Sequence, residues 1–114
     1  MSRTLEILKQ VDDFFKPDGS TWTRGAFGRD ENGNVASCFT PQAVKCCITG
    51  AFWKTFGGAS QEMHDIYYGS IQPLITECLG GDNIIGFNDH PNTTIHDVKN
   101  LLKKAIEKAE KDEV

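Results

Sequence analysis

The sequence predicts a single, mainly helical α+β domain in which about four helices carry one short β-hairpin. Several stretches repeat apolar residues every three or four positions, which is the spacing of an amphipathic helix. One segment contains Asn32-Gly33, a strong hairpin signal because both residues tolerate the positive φ of a type I′ turn. The 114 residues suffice for one hydrophobic core, so residues 1–114 are interpreted as a single domain.

The first helix is predicted between Thr4 and Lys16, where one face is apolar and the opposite face is charged. Pro17, Asp18 and Gly19 follow, and this combination favours a turn that ends the helix. The helix is therefore expected to bury one side and to stop before the turn. The predicted buried face consists of Leu5, Ile7, Leu8, Val11, Phe14 and Phe15.

The segment from Trp22 to Cys38 is predicted to form the hairpin, with its turn at Asn32-Gly33 and its returning strand from Val35. Two isolated strands are only marginally stable in water. The hairpin is therefore expected to pack against the helices.

The second helix is predicted from Thr40-Pro41 to about Phe56. A threonine hydroxyl can cap an unpaired backbone N–H, and proline fits the first helical position, where no N–H donor is needed. Gly57-Gly58 then offers a left-handed C-terminal cap. Cys47, Gly50 and Ala51 are small, so another element is expected to approach the helix closely.

The third helix is predicted to begin at a Ser60 cap and to end at Gly80-Gly81. Pro73 lies inside its apolar pattern and removes a helix hydrogen bond, which predicts a kink or a split near Ser70. A short extended piece is expected from Asn83 to Phe87.

The last helix is predicted to begin at Thr94, which forms a variant capping box with Asp97. The helix then keeps a regular apolar stripe almost to the end of the chain. This stripe comprises Val98, Leu101, Leu102, Ala105, Ile106 and Ala109.

Charge and composition exclude several classes of protein. Twelve Lys and Arg residues against sixteen Asp and Glu give a net charge of -4, so the chain lacks the positive field on which non-specific phosphate binding depends. Nucleic acid is therefore not an expected partner. The N-terminus has no apolar signal segment and no stretch is long enough to span a membrane. We expect a cytoplasmic protein without a membrane partner, whose four cysteines are free and partly buried thiols.

The leading candidate site combines Trp22 and Arg24 with the loop Asn88, Asp89 and His90. An aromatic face, a planar cation and several hydrogen-bonding groups are what a small polar ligand, such as a nucleotide or a sugar, uses for stacking and orientation. The alternative is structural: the loop closes a turn, Trp22 covers the core, and Arg24 pairs with Asp89.

Two further site hypotheses come from the cysteines. Cys46 or Cys47 could act as a nucleophile activated by His90, with Asp89 or Asn88 orienting the imidazole ring. Against this, small residues on a helix more often serve packing. A zinc site is disfavoured because no close Cys or His pair has the usual ligand spacing. No cofactor is expected, and the sequence favours a binding protein over an enzyme.

An interaction surface is the third possibility. Trp53 lies off the inner stripe of the second helix, and an exposed tryptophan near Tyr67 or Tyr68 would indicate a protein interface. Homodimerisation is the simplest form of such an interface.

The chain resembles a family of small, uncharacterised bacterial and phage proteins, a domain of unknown function that is common in actinobacteria. The resemblance covers most of the length and rests on W-x-x-G-A at Trp22–Ala26, C-x-x-G-A at Cys47–Ala51, and [WF]-N-D-x-P at Phe87–Pro91. The family more often has Trp where this chain has Phe87. The resemblance implies a compact helical domain with a short hairpin and implies no activity. Phage membership would fit sequestration of a host signalling nucleotide or inhibition of a host protein.

These observations together predict a non-enzymatic binding protein for a small polar ligand or a host protein. A cysteine-dependent hydrolase or transferase that uses Cys47 and His90, and a homo-oligomeric interaction module, are the alternatives.

Overall fold

The helices occur largely where the apolar patterns predict them. A computed structural model describes residues 3–58 and 60–112, and its helices within those ranges are numbered in chain order. Helix α1 spans Arg3–Phe14 and α2 spans Ile48–Phe56. Helix α3 is a composite of Gln61–Met63, His64–Ile71 and Gln72–Cys78. Helix α4 spans Ile84–Asp89, and α5 spans Ile95–Asp112. The mainly helical α+β class is confirmed, with one more short helix than expected.

The core forms where α1 packs against α2, α3 and α5. The predicted stripes of the first and last helices meet there, and Leu8, Val11, Val98 and Leu102 are fully buried. The Lys99 ammonium lies 2.8 Å from an Asp12 carboxylate oxygen and donates to the backbone carbonyls of Asp12 and Phe15. A cation at the carboxyl end of α1 satisfies orphan carbonyls and favours the helix dipole.

The structure contains one antiparallel pair of short strands, as predicted, but the second strand is not the predicted one. Strand β1, Gly28–Arg29, pairs antiparallel with β2, Lys45–Cys46, rather than with the residues directly after the turn. The predicted returning strand is reduced to a single bridge between Arg29 and Val35. Because Cys46 also bonds to the backbone of Thr21 and Thr23, β2 lies between two segments and outcompetes the local partner.

The Asn32-Gly33 turn is present, but it is not type I′. Only Gly33 has positive φ, at 85°, and the Asp30 carboxylate accepts from the backbone N–H groups of Asn32 and Asn34. This is the pattern of a three-residue loop in which glycine takes the left-handed conformation. The aspartate side chain stabilises the loop from within.

The second helix begins seven residues later than predicted. Cys47 caps it, with its sulfur accepting from the Gly50 N–H at 3.2 Å. The Thr40 hydroxyl donates to the Ser37 carbonyl instead of capping a helix. The predicted start at Thr40-Pro41 is wrong because β2 pairs with β1 and holds the following backbone extended. The Gly57 C-cap is confirmed, with φ of 78°.

The proline in the third helix is accommodated by a change of hydrogen-bond register. Residues His64–Ile71 form a π-helix, and the Gln72 N–H bonds to the Tyr67 carbonyl five residues earlier. Backbone angles stay helical at both junctions, so the helix is not split at Pro73. The Ser60 cap is confirmed by its bond to the Met63 N–H at 3.1 Å.

The expected extended piece from Asn83 to Phe87 is instead part of helix α4. The Asn83 side chain caps the helix by accepting from the Gly86 N–H at 3.0 Å. Ile84 and Asn88 lie on its buried face, at helical spacing. Gly86 lies within this helix although glycine is a poor helix former. The Asn83 cap and the burial of Ile84 and Asn88 outweigh that low helix propensity.

The predicted capping box of the last helix is confirmed. The Asp97 carboxylate accepts from the Thr94 N–H at 2.9 Å, and the Thr94 hydroxyl accepts from the Asp97 N–H at 3.3 Å. This reciprocal pair fixes where α5 starts and therefore where the preceding loop ends.

Candidate functional site

The two polar segments that the sequence singles out meet in space. The loop containing Trp22 and Arg24 lies against the carboxyl end of α4 and the residues after it. The Trp22 indole N–H donates to the Asn88 side-chain oxygen at 2.8 Å. The residue pairs that join the segments are more than sixty positions apart in the chain, so this proximity belongs to the tertiary fold.

Asn88 is the hub of this junction and is 1% exposed. Its oxygen accepts from the Trp22 indole and from the Ile48 backbone N–H at 3.0 Å. Its amide nitrogen donates to the Thr23 carbonyl and to the Asp89 carboxylate, both at 3.0 Å. All four bonds of the amide are therefore used, and Asn88 ties the loop, α2 and α4 together.

Asp89 is exposed, yet one of its carboxylate oxygens is firmly held. Oδ1 accepts from the Gly25 N–H and from the Asn88 amide, each at 3.0 Å. Oδ2 makes no hydrogen bond or ion pair with residues 3–58 and 60–112. The predicted Arg24–Asp89 pair is replaced by this backbone contact, which leaves one oriented oxygen free to accept a hydrogen bond.

Arg24 and Trp22 contact each other. The Arg24 guanidinium carbon lies 4.6 Å from the Trp22 ring centroid, which is cation–π distance. The same guanidinium donates to the backbone carbonyl of Thr93, which lies in the loop between α4 and α5. One face of the Trp22 ring is thus already covered by a side chain of the protein.

His90 is exposed and lies apart from the other four residues. Its Nδ1 accepts from the Asn92 N–H at 3.1 Å. It lines a separate depression with Phe87 and Thr93, and Asp89 is not among the residues that line it. Four of the five predicted site residues are therefore joined by contacts, whereas His90 serves the turn.

A cleft of about 410 Å³ opens beside the junction. Its walls are mostly apolar, and Asn88 and Asp89 supply its side-chain polar groups. Trp22, Arg24 and His90 are not among its lining residues. The lining comprises Gly25, Ala26, Phe27, Val35, Cys47, Ile85, Asn88 and Asp89.

Sequence reasoning missed three of the cleft's apolar residues, Phe27, Val35 and Ile85. Each is at least 43% exposed, and large apolar side chains left in water are a signal of binding surfaces. In the Ile84-Ile85 pair only one side chain of a short helix can face the core. Recognition of helix α4 would have pointed to Ile85 as the outward member.

Close packing of α2 against the loop shapes the cleft. A Cβ atom on Gly50 would lie 2.0 Å from the Phe27 carbonyl oxygen, so only glycine allows this approach. Gly25, at φ of 77°, turns the loop so that its N–H reaches Asp89. The expectation that small residues in α2 admit another element is confirmed here.

Cys47 lies in the cleft wall, but its thiol is held in the protonated form. Burial raises the pKa of the Cys47 thiol, and the nearby Asp89 carboxylate raises it further. Its sulfur accepts the Gly50 N–H as a helix cap. No hydrogen bond joins Cys47 to His90 in the described parts of the chain, and the two residues line different depressions.

The remaining cysteines are also free thiols, as expected, with Cys38 and Cys46 buried and Cys78 half-buried. Within the described ranges, no group of three or more His, Cys, Asp or Glu side chains lies close enough to hold a metal ion. Among the same residues, the structure contains no helix with the length and apolarity needed to cross a membrane.

Trp53 packs partly buried against the core instead of standing free on the surface. Its ring stacks on Phe27 with centroids 4.8 Å apart and meets Tyr67 edge-on at 6.4 Å. The predicted interface required an exposed Trp53 near Tyr67 or Tyr68. Of these three residues, Tyr68 is the exposed one, at 41%.

Comparison with known proteins relates the chain to one family. No curated protein and no solved structure matches it. A family model described as a family of unknown function, DUF6197, matches residues 1–108. The match covers nearly the whole chain, and the protein therefore belongs to the DUF6197 family of unknown function.

Proposed function

We propose that this protein is a non-enzymatic binding protein that holds a small molecule in the cleft between the Trp22–Phe27 loop and α4. The observation that carries the proposal is the free carboxylate oxygen of Asp89 at an apolar cleft. The ligand that fits has an apolar body and an amino or amide N–H group.

The size and lining of the cleft support a small-molecule site. Its volume of about 410 Å³ falls within the range of ligand pockets, roughly 300 to 1,000 Å³. Phe27, Val35 and Ile85 offer apolar surface that binding would remove from water. A few oriented polar groups among apolar walls are the usual composition of such sites.

Asp89 supplies the orientation. Because the Gly25 N–H and the Asn88 amide hold Oδ1, the position of Oδ2 is fixed before a ligand arrives. A preorganised acceptor costs less ordering entropy on binding than a mobile one. A charge-assisted bond to a ligand N–H is stronger than a neutral one.

The same residues bear on the nucleotide hypothesis. A phosphate group would meet the negative charge of Asp89, and no Lys or Arg is among the cleft's lining residues. Arg24 stacks on Trp22 and bonds to Thr93, so its guanidinium is already engaged. The cleft favours an amine or amide over a phosphate-bearing ligand.

A matched pair of probes tests this proposal. Phenethylamine and 3-phenylpropionate share an apolar body and differ in the charge of the end group. The amine is expected to bind and to raise Tm, since a tenfold excess over Kd stabilises by about 1.4 kcal/mol. The carboxylate is expected to have no effect. Equal effects of both probes, or an effect of neither, would refute the proposal.

Variants locate the binding. Asp89→Asn keeps an oxygen that can accept from Gly25 and removes the charge, so it should weaken amine binding roughly tenfold or more with little loss of stability. Asp13→Asn, on the exposed face of α1, is the control for charge.

Ile85→Ala should weaken binding by reducing the apolar wall of the cleft. Val44→Ala changes an exposed residue outside the cleft and should leave binding unchanged.

A further inference from the structure

A second cavity lies next to the cleft and has different chemistry. It is a half-open pocket of about 180 Å³ between α2, α3 and α4. Ile85 lines both cavities and separates them. The second cavity is lined by aromatic and uncharged polar side chains, chiefly Thr49, Trp53, Tyr67, Tyr68, Gln72 and Asn83.

The indole N–H of Trp53 is the unusual group in this wall. The nitrogen is buried and has no hydrogen-bond partner in the described part of the chain. A buried donor without an acceptor costs about 1–3 kcal/mol, so native proteins rarely leave one. An acceptor brought by a ligand would remove this cost.

Thr49 provides a second donor at the same cavity. It is 4% exposed, and its oxygen accepts from the Tyr67 hydroxyl at 3.3 Å. Either hydroxyl of this pair can donate to the other, and when Tyr67 donates, the Thr49 hydroxyl hydrogen is left for another acceptor.

Asn83 is a third residue of the cavity that offers hydrogen-bond donors. Its side-chain oxygen caps α4 by accepting from the Gly86 N–H, and its amide hydrogens have no acceptor within residues 3–58 and 60–112. Trp53, Thr49 and Asn83 thus supply donors at this cavity, beside Gln72 and Tyr68, which can both donate and accept, whereas the neighbouring cleft offers an acceptor in Asp89. No ionised side chain is among its lining residues.

We propose that this second cavity binds a small, neutral, planar molecule rich in acceptors, of the class of cyclic amides and ureas, whose carbonyl oxygen accepts from Trp53 and Thr49. Uncharged donors match a neutral acceptor. The ring of Tyr68, which is 41% exposed, provides a surface against which a planar ring packs. The volume of about 180 Å³ is less than half of the cleft's 410 Å³, which suits a ligand with a single ring.

Access to the Trp53 nitrogen requires a small movement at the rim. Tyr68 and Ile85 line this cavity and are 41% and 47% exposed, so core packing does not enclose them on every side. Tyr67 and Tyr68 also belong to the π-helical part of α3. Such segments are rare and occur frequently at functional sites, and here the π-helix forms one wall of the cavity.

The two indole N–H groups allow a direct test by NMR. In the ¹⁵N-labelled full-length protein, 2-pyridone is titrated, with aniline as a planar ring of similar size that lacks a carbonyl. Trp22→Phe assigns the two indole signals. The expected result is a saturable downfield shift of the Trp53 signal with 2-pyridone only. The Trp22 signal, already bonded to Asn88, should stay in place.

Variants separate this site from the cleft. Thr49→Val removes the second donor and should weaken 2-pyridone binding about tenfold, while Thr49→Ser should retain it. Asp89→Asn should leave 2-pyridone binding unchanged, so failure at one cavity is distinguishable from failure at the other. A Trp53 signal that does not move, or moves equally with both probes, would overturn the proposal whether or not Thr49→Val folds.

Discussion

Trp22 and Trp53 present the same indole N–H to two differently built surroundings. At Trp22 the N–H meets the Asn88 side chain at 2.8 Å, inside a junction where the Asn88 amide makes four hydrogen bonds. At Trp53 the N–H is buried beside a cavity and has no hydrogen-bond partner among residues 3–58 and 60–112. The comparison teaches that the polar side chains around Asn88 are already hydrogen-bonded to one another and hold the fold together. The buried donor without a partner is instead Trp53, a residue that the sequence pattern assigns to packing or to an interface.

The largest expected effect is at the junction. Asn88→Ala removes all four bonds and leaves the buried Ile48 N–H without an acceptor, so we expect a loss of about 3–5 kcal/mol in the free energy of unfolding. Urea denaturation measures it. Asn92→Ala, at an exposed residue, is the control and should change stability by no more than about 0.5 kcal/mol. A loss below 1 kcal/mol at Asn88 would mean that the junction is not a structural hub.

The next effect tests whether α2 and the loop must approach as closely as they do. Gly50→Ala places a Cβ 2.0 Å from the Phe27 carbonyl oxygen, and overpacking of this kind costs about 3 kcal/mol. Gly69→Ala is the matched control, because its Cβ would have no neighbour within 4 Å. It should be neutral or slightly stabilising. Equal behaviour of the two variants in denaturation would contradict the close approach.

The tryptophans can be compared directly. Trp22→Phe breaks a bond to Asn88 and should cost about 1–2 kcal/mol. Trp53→Phe loses ring area but also removes a buried donor that has no partner in the described parts of the chain, so its cost should be smaller by about 1 kcal/mol. Thermal unfolding of both variants at one pH provides the measurement. A larger loss at Trp53 would mean that the lost packing against Phe27 and Tyr67 outweighs the removal of this donor.

The smallest effect concerns the hydroxyl pair of the second cavity. Burial raises the pKa of Tyr67 to about 12, whereas the unfolded value is about 10. The folded state keeps the proton where the unfolded state loses it, so this contribution is complete below pH 10 and declines as pH rises towards 12.

Between pH 10 and pH 11 the decline should be about 1 kcal/mol. Tyr67→Phe lacks the ionisable group and should show a correspondingly flatter stability profile over that interval. Urea denaturation at the two pH values, for both proteins, gives the comparison. Parallel profiles would mean that Tyr67 is not buried as a neutral hydroxyl.

Much of the fold was predictable because the decisive interactions are local. The apolar stripes of α1 and α5, the Ser60 cap and the Thr94–Asp97 box depend on residues three or four positions apart. The missed helix α4 has a local Asn83 cap that the pattern analysis overlooked, whereas the start of the second helix was mispredicted because a distant segment competes for the backbone. Thr40-Pro41 carries a helix-start signal, but β2 pairs with β1 and delays the helix to Ile48.

The candidate site was predictable in part. The sequence indicated that Trp22 and Arg24 belong with Asn88 and Asp89, and their contacts join the two segments. It did not indicate that Asn88 is saturated, that Arg24 is engaged, or that the cleft is walled by Phe27, Val35 and Ile85. Those facts depend on distances between residues far apart in the chain, which no local pattern encodes.

By itself the sequence determined the helical class, the caps at Gly57, Ser60 and Thr94–Asp97 and most of the buried faces of α1 and α5, because hydrophobic periodicity and capping act within a few residues. Only the tertiary structure decided which polar groups are satisfied. The Asn88 amide finds four partners from three elements, and the Trp53 N–H finds none among the described residues. Hydrogen bonds depend on tenths of an ångström between distant atoms, so that choice is made by packing and not by composition.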